Sequence, residues 1–233
     1  VGRGATALIV AAGSGQRLGA GRPKALVELA GRPLFEWALD ACRDAARVGP
    51  IVIAAPAGQL EAFARDGVEV VAGGDSRSGS VSRGLERVST DLVMVHDAAR
   101  PLVTPELIDN AIAALARRDR LEAVIAAAPA TDTVKQIGAD GLVGATLDRS
   151  ALRLAQTPQV FRTESLRLAL AAGDPAAATD DAALIESAGG LVGVVDAPAG
   201  NLKVTGPADL ELAALMLSRA GRAAAPDETR LEN

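Results

Sequence analysis

The chain contains no tyrosine, one tryptophan and three phenylalanines, so aromatics make up only 2% of its 233 residues. That scarcity excludes the stacking platforms on which single-stranded nucleic acid is bound. A single cysteine, Cys42, excludes an internal disulfide framework. Together with the single histidine, His96, it leaves too few soft ligands for a Cys/His zinc site. Positive charge is also short: the net charge is −5 and the isoelectric point about 5.0. A general nucleic-acid surface is therefore not expected, and an anionic ligand must be met by local cations. No run approaches eighteen uninterrupted apolar residues, so no membrane span is expected. The first residues lack the charged, apolar and cleavage segments of a secretory leader, and the expectation is a soluble cytoplasmic protein.

What is abundant is small and apolar. Hydrophobic residues reach 49%, and alanine is roughly a fifth of the chain, which favours helices packed closely on a sheet. Strand-like and helix-like segments alternate. Strands are expected at 5–12, Ile51–Ala54, Val68–Val71, Leu92–Val95, Ala123–Ala128 and 191–195. Helices are expected near 33–47, 57–65, Ser76–Val88, Thr104–Arg117, 163–172, 180–188 and Pro207–Arg219. Thr104 reads as an N-cap and Pro207 as a first-turn proline. The alternation implies an α/β fold, a Rossmann-like and mostly parallel sheet flanked by helices. Residues 130–150 break the pattern and read as two strands around Asp140-Gly141, a protruding β-hairpin arm with little core of its own. One domain over 1–220, including the arm, and a loose tail over 221–233 are expected.

Four clusters fall where parallel strands are expected to end, the ligand edge of such a sheet. They are Ala11-Ala12-Gly13-Ser14-Gly15-Gln16-Arg17 with Pro23-Lys24, Gly73 to Ser80, His96 to Pro101, and Asn201 to Thr205. Small residues let peptide N–H groups approach phosphate oxygens, and Arg17 and Lys24 bring positive charge to the same place. The opening loop is not the dinucleotide fingerprint, whose third glycine would fall at Leu18. Nor is it a P-loop, since Pro23 precedes Lys24 and Ala25 follows it.

These pieces resemble the sugar-phosphate nucleotidyltransferases. With Asp132-Thr133-Val134-Lys135, Asp148-Arg149, Gln156-Thr157-Pro158-Gln159, Thr179-Asp180-Asp181 and Asn201-Leu202-Lys203-Val204-Thr205, the chain resembles the 2-C-methyl-D-erythritol 4-phosphate cytidylyltransferase family from about residue 6 to 219. The resemblance implies transfer of a cytidylyl group from CTP to a methylerythritol phosphate, with Mg²⁺ bound mainly through the CTP phosphates. It implies that Arg17 and Lys24 are catalytic, stabilising the transferring phosphate. Ala11, Ala12, Gly13, Gly15, Gly74, Asp75, Ser80, Asp97 and Ala98 would bind the nucleotide, Asp97 being also a possible metal ligand. Arg100, Thr133, Arg149 and Lys203 would bind the acceptor. The family also implies a homodimer in which the arm embraces a second subunit and brings Thr133 and Arg149 to its site.

Other residues have plainer readings. His96 reads as a structural histidine at a strand end, Cys42 and Trp37 as core residues, and Asp180-Asp181 as the acidic start of a helix. Two rivals remain: a cytidylyltransferase for another polyol phosphate such as ribitol 5-phosphate, and a nucleotide-binding module without turnover. The second gives no reason for keeping Arg17, Lys24, Arg149 and Lys203 together.

Overall fold

The computed structural model describes residues 4–13, 21–173 and 180–221. The first half runs β1 (Ala5–Val10), β2 (Glu28–Leu29), β3 (Arg32–Pro33), α1 (Leu34–Asp44), β4 (Val48–Ala55), β5 (Val68–Ala72), α2 (Arg77–Leu85), β6 (Leu92–Asp97) and α3 (Pro105–Ala116). The second runs β7 (Ala123–Pro129), β8 (Lys135–Ile137), β9 (Val143–Thr146), β10 (Arg153–Arg162), α4 (Thr163–Ala172), α5 (Asp181–Ser187), β11 (Val192–Asp196) and α6 (Pro207–Arg219). Seven strands form one sheet in the order β11-β7-β10-β6-β1-β4-β5. All of its pairs are parallel except the two made by β10.

The central strands are apolar on both faces because both faces are covered. Along β1, Ala7 and Ile9 join the core beneath α1 and α3, while Leu8 joins the core beneath α2, α4 and α5. Full burial of a side chain such as Leu8 or Ile9 contributes about 2 kcal/mol each. A third cluster seats α6 through Ala213 and Leu217 against Leu29, Leu34 and Trp37. Trp37 is buried and donates its indole N–H to the Leu29 carbonyl at 3.0 Å. Cys42 is wholly buried, which pushes its thiol up to about 12. Both are core residues, as their helical spacing predicts.

Two expectations need correction. The segment 57–65 is not a helix but a single 3-10 turn, Leu60–Phe63. No side chain caps that turn, and Gly67 at φ 73° reverses the chain soon after it. One turn suffices to drop Phe63 onto Phe35, ring centroids 4.8 Å apart. Conversely, a ten-residue strand, β10, stands where the sequence pattern points to none. Gln156, Thr157, Pro158 and Gln159 hide it, since proline removes a ladder donor. A register irregularity between Ala155 and Gln159 lets Pro158 sit within the sheet.

The arm forms as expected: β8 and β9 pair antiparallel, and Gly141 takes φ 79° in the connecting turn. Among the described residues, no helix is long and apolar enough to cross a membrane. The tail beyond Gly221 lies outside the described residues.

Candidate active site

After β1 the chain extends the sheet to β4 and β5, then returns to place β6 on the other side of β1. A crevice opens at the carboxyl ends of strands where the order reverses in this way. Here it is a cavity of about 630 Å³ beyond the ends of β1, β5 and β6.

Each wall follows from local sequence. Beyond β1, the Ala11 N–H bonds to the Ala54 carbonyl at 2.8 Å, and the Lys24 N–H reaches the Gly13 carbonyl at 3.3 Å. The second bond brings Lys24 back beside Ala11, Ala12 and Gly13, all of which line the cavity. Beyond β5, a Cβ on Gly73 would lie 2.6 Å from the Ala12 Cβ, and one on Gly74 would lie 2.8 Å from the Gly79 carbonyl carbon. Only glycine allows this close approach. Ser80 braces it: its hydroxyl accepts from the Gly74 N–H at 3.2 Å and donates to the Ser76 carbonyl at 2.9 Å. Ser76 caps α2 by accepting from the Gly79 N–H at 2.9 Å. The fourth wall arrives late in the chain, where the Val204 N–H bonds to the Ala99 carbonyl at 2.8 Å and carries Lys203 and Thr205 to the cavity.

Charge is concentrated around Asp97. Arg77 Nε donates to its Oδ1 at 3.0 Å and Lys203 Nζ to its Oδ2 at 2.7 Å. Burial opposes ionisation of Asp97, but Arg77 and Lys203 outweigh it and hold the carboxyl well below the usual carboxylate range. Arg77 also donates from Nη1 to Oδ2 of the wholly buried Asp181 at 2.5 Å. Burial lowers the affinity of Arg77 for its proton, and the two carboxylates more than restore it. Removing one partner from so buried a pair costs about 3–5 kcal/mol.

Behind Asp97 lies a buried polar layer. Thr157 Oγ1 meets His96 Nδ1 at 3.0 Å and accepts from the Asp97 N–H at 3.1 Å, and His96 Nε2 lies 3.2 Å from the Arg100 carbonyl. Burial pushes the His96 imidazole down to about 4, so it is neutral and structural, as expected. Arg100 donates to the Asn201 carbonyl at 2.8 Å, and Asn201 donates to Gln156 and Thr157 on β10. Burial also lowers the Arg100 guanidinium below its ordinary value.

Of the expected site residues, the structure brings Ala11, Ala12, Gly13, Lys24, Gly74, Asp75, Ser80, Asp97, Ala98 and Lys203 to one cavity. Arg100 does not line it, because its guanidinium serves the Asn201 carbonyl. Thr133 and Arg149 lie on the arm, away from this chain's cavity; Arg149 donates to the Thr131 carbonyl at 2.7 Å. Gly15 and Arg17 lie outside the described residues, as does Thr179.

Two charged residues escaped sequence reasoning. Arg77 lies in the Gly73–Ser80 cluster, where its sequence position alone gives it no role of its own. Asp181 reads as a helix-start acid, yet Asp180 caps α5 by accepting from the Ala183 N–H at 3.0 Å, and Asp181 turns inward to Arg77. The signal was the doubled aspartate, since one acid suffices for a cap.

A mostly parallel sheet with a glycine-backed, lysine-edged cavity at its reversal point is the nucleotide-binding architecture of α/β nucleotidyltransferases. The profile of the 2-C-methyl-D-erythritol 4-phosphate cytidylyltransferase family matches residues 5–219, and the chain belongs to that family. A relative of that name from Frankia casuarinae is 46% identical over 218 residues, covering 91% of this chain and 81% of the relative. The solved 2-C-methyl-D-erythritol 4-phosphate cytidylyltransferase of Thermus thermophilus superposes with a TM-score of 0.75 at 35% identity, over 92% of this chain and 99% of that one. The 4-diphosphocytidyl-2C-methyl-D-erythritol synthase of Anaerococcus prevotii reaches a TM-score of 0.82 at 28% identity, over 93% and 97% of the two chains.

Proposed function

We propose that this chain transfers the cytidylyl group of CTP to 2-C-methyl-D-erythritol 4-phosphate, giving 4-diphosphocytidyl-2-C-methyl-D-erythritol and pyrophosphate in non-mevalonate isoprenoid synthesis. The carrying observation is that the family match over 5–219 includes every wall of a cavity with two lysines at its edge and glycine backbone behind.

An oxygen of the acceptor phosphate attacks the α-phosphorus; the new P–O bond forms as the bond to pyrophosphate breaks. A phosphate dianion is already nucleophilic, so neither a protein nucleophile nor a general base is required. The protein aligns two anions and offsets their charge. Lys24, with Arg17, takes the transferring phosphate and the departing pyrophosphate. The backbone at Ala11, Ala12, Gly13 and Gly15 cradles the nucleotide, while Gly74, Asp75 and Ser80 read the base. Asp97 and Ala98 lie toward the ribose and phosphates, and Lys203 takes the acceptor phosphate. Arg100 supports this last group from behind through Asn201.

The donor set suits Mg²⁺. Among the described residues no cluster of three or more metal-ligating side chains exists, but Asp75 and Asp97 line the cavity as hard carboxylates, the Asp97 oxygens also taking Arg77 and Lys203, and Mg²⁺ held mainly on nucleotide phosphates needs little more. When bound through Asp97 and the phosphates, it would supply further charge neutralisation.

Thr133 and Arg149 serve the acceptor from a second subunit. Supporting this is the arm's exposed apolar surface, with Ile137, Leu142 and Val143 at 55%, 68% and 59% exposure. A homodimer would cover it.

Pyrophosphate release is the test. Release is expected only when CTP, Mg²⁺ and methylerythritol phosphate are all present. Equal or faster release with ribitol 5-phosphate overturns the acceptor assignment, and CTP binding without pyrophosphate release in the presence of any polyol phosphate supports a module without turnover.

A further inference from the structure

Four charged side chains alternate in sign from the cavity to the interior: Lys203, Asp97, Arg77 and Asp181. They are joined by contacts of 2.7, 3.0 and 2.5 Å. They come from the segment before α6, the end of β6, the start of α2 and the start of α5. The innermost member is the unusual one. Asp181 is wholly buried and does not line the cavity, and Asp180 already caps α5. A carboxylate at such a position is costly, and an apolar residue would pack there without that cost. Its Oδ1 has no hydrogen-bond partner among the described residues, while its Oδ2 is given to Arg77. The α5 start is itself fixed to the sheet, since Gln159 Nε2 on β10 donates to Asp180 Oδ2 at 2.8 Å.

We propose that Arg77, anchored by Asp181, is a positioning residue that orients the Asp97 carboxylate and thereby sets how firmly Lys203 is held at the cavity edge. The proposal rests on the cytidylyl-transfer reading above. Arg77 uses the two sides of its guanidinium on two carboxylates, Nε on Asp97 and Nη1 on Asp181, which a lysine, as a single point charge, cannot span. With Arg77 in place, Asp97 divides its charge between two cations, and Lys203 can turn one of its donors to an arriving phosphate. Without Arg77, Lys203 is the one cation among the described residues still in direct contact with Asp97, and the carboxylate competes with the phosphate for it. Loss of the anchor therefore weakens use of the acceptor more than use of CTP.

The test compares wild type with Arg77→Lys, Asp181→Asn and Arg77→Ala/Asp181→Asn, each measured for thermal stability and for KM of both substrates. Arg77→Ala alone would strand a buried carboxylate, so the double variant is the folded form in which the anchor is absent. We expect the double variant to fold, with a melting temperature below wild type because Asp97 also loses Arg77, while its KM for the acceptor rises about tenfold or more, the KM for CTP changing by about twofold at most. Arg77→Lys is expected to show the same acceptor defect, because charge without the fork does not bridge. Asp181→Asn should show it in weaker form. A double variant with wild-type acceptor KM overturns the proposal, as does full rescue by lysine or an equal rise in both KM values. If wild type itself releases no pyrophosphate with any acceptor, the cytidylyl-transfer reading fails first, and the relay falls with it as an acceptor-positioning device.

Discussion

At the cavity, polar groups are buried and paired within one chain; on the β8–β9 arm, apolar groups are exposed and unpaired. Asp97, His96, Thr157 and Asn201 are each at most 7% exposed and linked by hydrogen bonds to neighbours from other elements. The arm has one cross-strand side-chain bond, Lys135 Nζ to Thr146 Oγ1 at 2.6 Å, and its large apolar side chains face outward. The contrast teaches where each region finds its stability. A largely paired buried network favours one arrangement, even though Asn201 Oδ1 and Asp181 Oδ1 have no partner among the described residues. A thin hairpin with an apolar surface gains most by being covered.

The sharpest way to break this contrast is to protonate the buried layer. The His96 imidazole is held at about 4 in the folded chain, below its ordinary 6.5. Between these values the unfolded chain binds the proton and the folded chain does not, so stability present above pH 6.5 is lost as pH falls toward 4. The loss is about 3 kcal/mol. Urea unfolding at pH 7 and 4.5 measures it, and His96→Gln should flatten that slope; an unchanged slope would assign the acid loss elsewhere.

Lys24→Ala is the next largest effect, with kcat lowered about 100-fold and the melting temperature little changed. Wild-type kcat would remove Lys24 from the reaction. Arg149→Ala should also be poorly active alone, yet an equal mixture of the two variants should regain about a quarter of wild-type activity after subunit exchange. The heterodimer then holds one intact composite site. No regain despite proven exchange would leave arm and cavity unrelated.

The smallest effect on folding belongs to the arm itself. Ile137→Ser with Val143→Ser should lower the unfolding free energy of the monomer by no more than about 1 kcal/mol, because both side chains are more than half exposed and lose mainly their contact with each other across the strands. Sedimentation should nevertheless show a weakened dimer. A large loss of monomer stability would mean that the arm is part of the core, and the contrast would dissolve.

Much of this molecule was legible in its chain. Strands such as Leu92–Asp97 announce themselves by apolar runs, and the arm by Asp140-Gly141. β10 was not legible, because Gln156, Thr157 and Gln159 carry polar side chains that face buried partners rather than water, and Pro158 lies among them. Gln156 and Thr157 help build the layer behind Asp97, while Gln159 holds Asp180. Arg100 read as a ligand group; in the fold its Nη1 donates to the Asn201 carbonyl while its Nε has no partner among the described residues, an arrangement that residue type cannot show.

Local pattern alone determined the alternation of strands and helices, the glycines at strand ends and the set of cations available for an anion. These follow from neighbours in sequence: apolar period, turn chemistry and backbone freedom. Which charges meet was decided only by the tertiary fold. Arg77 lies 20 residues from Asp97 and 104 from Asp181, and Lys203 lies 106 from Asp97. Pairing over such separations depends on strand order and helix placement, and burial then makes each pairing count.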